Sequence, residues 1–153
     1  MVPTYERWKI LRRLGIDVDW AEINPGYTFN GTNIHIEHGC SLGRQVFLDG
    51  AASIHIGKGS GIGPQAMVLT TSHAIGPAVN RAGPTLRQPV RIGQGCWIGA
   101  RSILLGGVTI GDGCIIAAGS VVIADCAPNG LYAGVPAVRK RDLDQDQVTL
   151  EPS

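Results

Sequence analysis

Ile92 to Ala127, written in sixes, reads IGQGCW IGARSI LLGGVT IGDGCI IAAGSV VIADCA. The first place of each six holds Ile92, Ile98, Leu104, Ile110, Ile116 and Val122, all large and aliphatic. The fifth holds Cys96, Ser102, Val108, Cys114, Ser120 and Cys126, mostly small. The pattern is neither the 3.6-residue period of a helix nor the alternation of an ordinary strand. A fixed six-residue period is the signature of a parallel β-helix. Each six supplies one short strand and one corner, and three sixes make a turn of about 18 residues that stacks on the next at about 4.8 Å. A single turn cannot bury its own aliphatic face, so stability accrues by stacking.

The same phrase can be traced upstream. IEHGCS, LGRQVF and LDGAAS run from Ile36, two extra residues (Ile54 and His55) follow, and IGKGSG, IGPQAM and VLTTSH run to His73. Residues 74–91 interrupt the repeat with Gly76-Pro77, Gly83-Pro84 and Pro89. A loop this long inside a regular solenoid is usually functional, and it is expected to leave the prism and line a cleft. Asp17 to Gly31 reads as irregular, a first imperfect coil. Thr4 to Leu14 predicts a short amphipathic helix, capped by Thr4, with Trp8, Leu11 and Leu14 on one face and Gly15 ending it. It is expected to cover the open end of the prism. The expected organisation is one all-β domain, 1–153: an N-terminal helical segment over 1–19, a β-helix over 20–127 with its protruding loop, and a closing segment and polar tail over 128–153.

Composition narrows the function. The net charge is +1, aromatic residues make up 5% and there are 22 glycines, which suits thin aliphatic layers and tight corners and gives no broad nucleic-acid or membrane surface. No apolar run approaches the ~18 residues of a membrane span. MVPTYERWKI has no signal-peptide pattern, so a cytoplasmic protein is the expectation. All four cysteines, Cys40, Cys96, Cys114 and Cys126, fall on fifth places. They read as small buried thiols that close corners. Cys96 and Cys114 stack at a separation compatible with a disulfide, but a cytosolic setting disfavours one.

Among the polar residues, His73 stands at the end of a six, directly before the long loop, where a side chain faces solvent and a cleft at once. Imidazole exchanges protons near neutral pH and suits a general base, although an isolated corner histidine is more often a plain surface residue. Trp97 also ends a six and is too large for a thin prism, so it should lie outside. His35 and His55 sit in matching phrases and can stack, but no carboxylate cluster near them is legible, so no metal is expected. Arg139-Lys140-Arg141 reads either as a solvated tail or as a phosphate contact. No GxSxG is present, and inward cysteines leave no nucleophile for a covalent acyl intermediate.

With these residues in hand, the repeat resembles the left-handed parallel β-helix of the hexapeptide-repeat acyltransferases. The run LTTSH, a loop, then PVRIGQGCWIGA resembles the region around the general-base histidine of the maltose, galactoside and nodulation-factor O-acetyltransferases. The resemblance covers roughly Asn33 to Leu143. It implies acetyl coenzyme A as donor, a small sugar-like acceptor, His73 as catalytic base and a homotrimer with active sites between subunits. It places Trp97 at the acceptor site and Ala100, Ala118, Ile123, Ala124, Val138 and Arg141 at coenzyme-contacting positions. The chain departs from the sugar enzymes where they carry an Asn and an Asp, since Gly43 and Ala51 stand there. Arg44, Asp49, Asn80 and Arg81 are the polar residues available to rebuild the acceptor side. An N-acetyltransferase acting on an amino sugar or antibiotic, a non-catalytic β-helix scaffold, and a γ-class carbonic anhydrase are the alternatives on the same fold.

Overall fold

The aliphatic places of the sixes point inward. Ile36, Leu42, Leu48, Ile56, Ile62, Val68, Ile92, Ile98, Leu104, Ile110, Ile116 and Val122 are each at most 4% exposed in the computed structural model of the chain, which describes residues 2–144 and 146. Five coils each give one short strand to each of three parallel faces. The first face stacks Asp17–Val18, Ile34–Ile36, Ile54–Ile56, Val90–Ile92 and Thr109–Ile110. The second stacks Ala21–Ile23, Cys40–Leu42, Gly61–Ile62, Trp97–Ile98 and Ile115–Ile116, then continues through Gly130–Gly134 to Ala137–Asp142. The third stacks Thr28–Asn30, Phe47–Asp49, Met67–Leu69, Ile103–Leu104 and Val121–Val122. The expected all-β parallel β-helix is therefore present.

The register follows the repeat. Arg91 pairs with Thr109, a step of 18, whereas His35 pairs with His55, a step of 20 that accommodates the two extra residues. The first coil is complete rather than irregular, with Val18, Ala21 and Ile23 all fully buried. Its ladders step by 18 from Asp17 to His35 and by 19 from Ala21 to Cys40. That one-residue slip hides the sixes in the sequence while leaving the stacking intact.

Where a fifth place holds a serine or a cysteine, its polar head can serve the next coil. The Ser60 hydroxyl donates to the Gly93 carbonyl (2.8 Å) and Ser102 to Ala117 (3.1 Å). The thiols of Cys40, Cys96 and Cys114 donate to Gly57, Gly111 and Ala127 at 3.1–3.2 Å. All four cysteines are free and buried. One corner column holds Gln45, Gln65 and Arg101 at φ near +60° (59°, 61° and 58°), a conformation that costs a side-chain-bearing residue about 1 kcal/mol. A side-chain ladder offsets it: Gln65 Nε2 donates to Gln45 Oε1 (2.8 Å) and Arg101 Nε to Gln65 Oε1 (2.7 Å).

At the N-terminus a 3₁₀ turn, Thr4–Glu6, leads into an α-helix, Arg7–Arg13. Leu11 enters the core and Trp8 packs against it, but Leu14 is 55% exposed. Thr4 is the first residue of the turn rather than its cap, a place that falls to Pro3; its hydroxyl meets Glu22 at 3.4 Å. The helix is tied down by buried Arg7, which donates to the carbonyls of Val2 (3.0 Å) and Ile23 (3.2 Å). No described helix is long and apolar enough to cross a membrane. At the other end Arg139 closes the prism, donating to the carbonyls of Ala127, Pro128 and Asn129 and to the Tyr132 hydroxyl. Most of the polar tail expected from Asp142 onward lies outside the described residues.

Candidate active site

The long insertion starts earlier than the sixes imply. After the third-face strand Met67–Leu69, Thr70 turns inward and is 1% exposed, while Ser72, expected to fill an inward fifth place, is exposed. Thr71–Ile75 and Ala82–Arg87 instead form an antiparallel hairpin, and Val90 re-enters the core beside Ile54. The insertion thus pairs most of its own backbone groups through the hairpin, which is how it can stand away from the prism beyond its root.

His73 sits on the outgoing arm opposite Thr85. It is exposed, and its Nδ1 lies 2.8 Å from the Gly83 carbonyl oxygen. A carbonyl only accepts, so Nδ1 carries the proton and the Nε2 lone pair is left to act as a base. At the hairpin tip Arg81 donates through its main chain-bracing Nη1 to the Gly76 carbonyl (3.2 Å). The Asn80 amide closes the turn onto Pro77 (2.9 Å), while its side chain is exposed. Arg81 therefore braces the turn, and Asn80 is the polar side chain left to face solvent there.

Asp49, legible in the sequence as an available polar contact, lies instead at the root of the hairpin. It is not a free polar contact but 5% exposed. Its carboxylate accepts from the Thr71 amide (2.8 Å), the Asn30 side chain (3.1 Å) and the Thr70 hydroxyl (3.3 Å). Burial opposes its ionisation, but the hydrogen bonds from Thr71 and Asn30 outweigh it and hold the carboxyl below the usual range. This buried anion fixes the point where the chain leaves the prism, two residues before His73. The available signal was an acid directly after an inward Leu48, at a corner carrying inserted residues.

Trp97 is half-exposed on the second face, at 48%, with Gly61 on the neighbouring strand in register beneath it. Within one chain no hydrogen bond joins it to His73 among the described residues. Ala118, Ile123, Ala124, Val138 and Arg141 are all exposed and Ala100 is partly so. Val138 and Arg141 lie on the closing strand opposite Ala133 and Leu131. In the basic run, Arg139 is consumed by the closure described above and by Asp142, 2.8 Å away, whereas Lys140 and Arg141 form no ion pair among the described residues. No thiol is poised to attack: burial pushes Cys96 up to about 11 and Cys126 up to about 12.

On the first face, the structure adds carboxylates that the sequence did not reveal beside the histidines. His35 and His55 stack with ring centroids 4.9 Å apart. Asp17 approaches His35 at 2.6 Å and Glu37 approaches His55 at 2.9 Å.

The solenoid of sixes agrees with the comparisons to known proteins. A family model described as bacterial transferase hexapeptide (six repeats) matches residues 89–124. Nodulation protein L of Rhizobium meliloti (strain 1021) is 40% identical over 145 residues, covering 86% of this chain and 74% of that protein. Galactoside O-acetyltransferase of Escherichia coli (strain K12) is 33% identical, covering 84% of this chain and 63% of that one. A solved hexapeptide-repeat-containing acetyltransferase of Vibrio cholerae superposes with a TM-score of 0.86 at 31% identity, covering 95% of this chain and 84% of that one. The same protein has been solved in complex with acetyl coenzyme A. The chain belongs to the hexapeptide-repeat acyltransferases.

Proposed function

We propose that the chain is an acetyl coenzyme A-dependent acetyltransferase that acetylates a hydroxyl of a small, sugar-like acceptor, with His73 as general base. The observation that carries this reading is the Nδ1–H to Gly83 hydrogen bond. It fixes the ring orientation and leaves Nε2 basic at an exposed position beside the hairpin. The acceptor oxygen loses its proton to Nε2 as it attacks the thioester carbonyl carbon. The resulting tetrahedral intermediate collapses by breaking the C–S bond, and the imidazolium returns the proton to the departing coenzyme A thiolate. A backbone amide near Ala100 would receive the oxyanion. Direct transfer is favoured over an acyl-enzyme because the described cysteines are buried thiols at neutral pH.

The donor half of the site comprises Ala100, Ala118, Ile123, Ala124, Val138 and Arg141, with Arg141 facing coenzyme A phosphates. The acceptor half includes Trp97 and Asn80. The reading includes a homotrimer in which each site is completed by a second subunit, as the resemblance to the family implies. The relatives named O-acetyltransferases favour a hydroxyl acceptor. The test is acetyl transfer from acetyl coenzyme A to a panel of sugars and amino sugars, with His73→Ala alongside. Loss of general-base help lowers turnover by about 10²–10⁴-fold with an unchanged melting temperature. An unchanged rate removes His73 from the mechanism, and preference for an amine would overturn the hydroxyl assignment.

A further inference from the structure

On the first face, far in the sequence from the hairpin, three ligand-type side chains converge. His35, Glu37 and His55 each present one donor atom, and these atoms all lie within 4.8 Å of one another. The cluster is built rather than casual. The Asp17 carboxylate sits 2.6 Å from His35 Nδ1, which turns Nε2 of that ring outward as a ligand. The Lys58 amide donates to Glu37 Oε2 at 2.8 Å, which leaves Oε1 free, and that oxygen already faces His55 Nε2 at 2.9 Å. A carboxylate on the far nitrogen of a ligating histidine is the arrangement that orients ligands in metalloproteins.

We propose that His35, Glu37 and His55 bind one divalent metal ion of the zinc class, with a water as fourth ligand. Two imidazoles and one carboxylate are a zinc donor set, with metal–ligand distances of about 2.0–2.2 Å. A tetrahedral ion needs its donors about 3.4 Å apart, so the triangle closes by side-chain rotation alone, without moving the strands. The ion bridges the second and third coils directly, and Asp17 ties in the first. It staples the N-terminal end of the prism, where the repeat is least regular. One neighbour opposes it: Arg91 follows His55 in the same ladder, and its positive charge weakens cation binding. Burial, with the Arg91 and His35 charges added, holds the His55 imidazole below its usual range despite Glu37. Arg91 is exposed, and its long side chain is free to swing outward.

The experiment uses untagged full-length protein, dialysed against a chelator and titrated with Zn²⁺ by calorimetry, with Co²⁺ absorption as a second probe. The expected result is saturable binding of one ion per chain, a rise in melting temperature, and a four-coordinate Co²⁺ spectrum. Asp17→Asn lowers affinity about 10–100-fold, and the double variant His35→Asn/His55→Gln abolishes binding. Arg91→Ala tightens binding. The polar replacements preserve the fold, which circular dichroism of each variant checks. Absence of saturable binding, or equal binding by the folded double variant, overturns the proposal.

Discussion

Replacing Asp49 with alanine removes the anion on which the hairpin is rooted. In the folded protein its carboxylate accepts from the Thr71 amide at 2.8 Å and from Asn30 at 3.1 Å. Asn30 is exposed and can turn to water, so little of the cost comes from it. Thr71 is half-buried, and its amide loses a charged partner, which is worth about 1.5–3 kcal/mol. The Thr70 hydroxyl keeps its bond to the Asp49 main chain. The expected loss is therefore about 2–3 kcal/mol, or roughly 5–10 °C in melting temperature for a chain of this size. Asp49→Asn keeps one acceptor for Thr71 and loses only the charge, so about 1 kcal/mol goes. Because His73 follows two residues later, displacement of the hairpin root by about 1 Å lowers turnover by up to about 10²-fold. That loss falls on kcat more than on the KM for acetyl coenzyme A, since the donor contacts proposed above lie elsewhere. The pH dependence has a definite sign. The folded pKa lies below the ordinary value, so this stabilisation is complete above ~3.9 and is lost as pH falls through the folded pKa. The gap in stability between wild type and Asp49→Ala must narrow in acid. Melting curves from pH 7 to pH 3, with turnover measured at pH 7, test the reasoning. A variant that melts within 1 °C of wild type and turns over normally would refute it.

Other consequences are more local. A methyl group at Gly99 would stand 2.5 Å from the Ala118 amide nitrogen and 2.6 Å from the Ile116 carbonyl, so Gly99→Ala costs about 1–3 kcal/mol by overpacking, read from urea denaturation. Arg139→Ala removes the bonds that gather the carbonyls of Ala127, Pro128 and Asn129. Hydrogen exchange of Gly130–Gly134 should accelerate while Ile92–Ile98 stays protected. The native protein should not react with a thiol reagent at pH 7, because all four cysteines are buried and burial raises their pKa values. All four should react after unfolding, and rapid labelling of the native state would contradict the buried corners.

The sequence by itself determined the solenoid, because the fold is written in one short rule repeated with fixed period. Ile92, Ile98 and Leu104 each see the same environment one corner apart, so reading one unit reads them all. It also determined that a segment after the VLTTSH unit leaves the prism beside His73, but not its bounds: the structure takes the chain out at Thr71 and returns it at Val90, where the sixes imply 74–91. It did not determine the first coil, where a one-residue slip between Asp17 and Ala21 breaks the period without breaking the ladder. Nor did it determine which polar residues are buried. Ser72 was expected inward and Asp49 outward. The hairpin reverses both, because antiparallel pairing from Thr71 takes the backbone off the prism and needs an acceptor for the amide at the exit. Arg139, legible only as part of a solvated tail or a phosphate contact, is instead a clasp over carbonyls left open where the coils end. The stacking of His35 on His55 was legible from their matching phrases, but the approach of Asp17 and Glu37 to them was not, because it joins residues 18 apart through the stacking of coils. Along the chain such groups are isolated, and only the parallel ladder, which sets equivalent residues of successive turns one strand spacing apart, brings them within bonding distance.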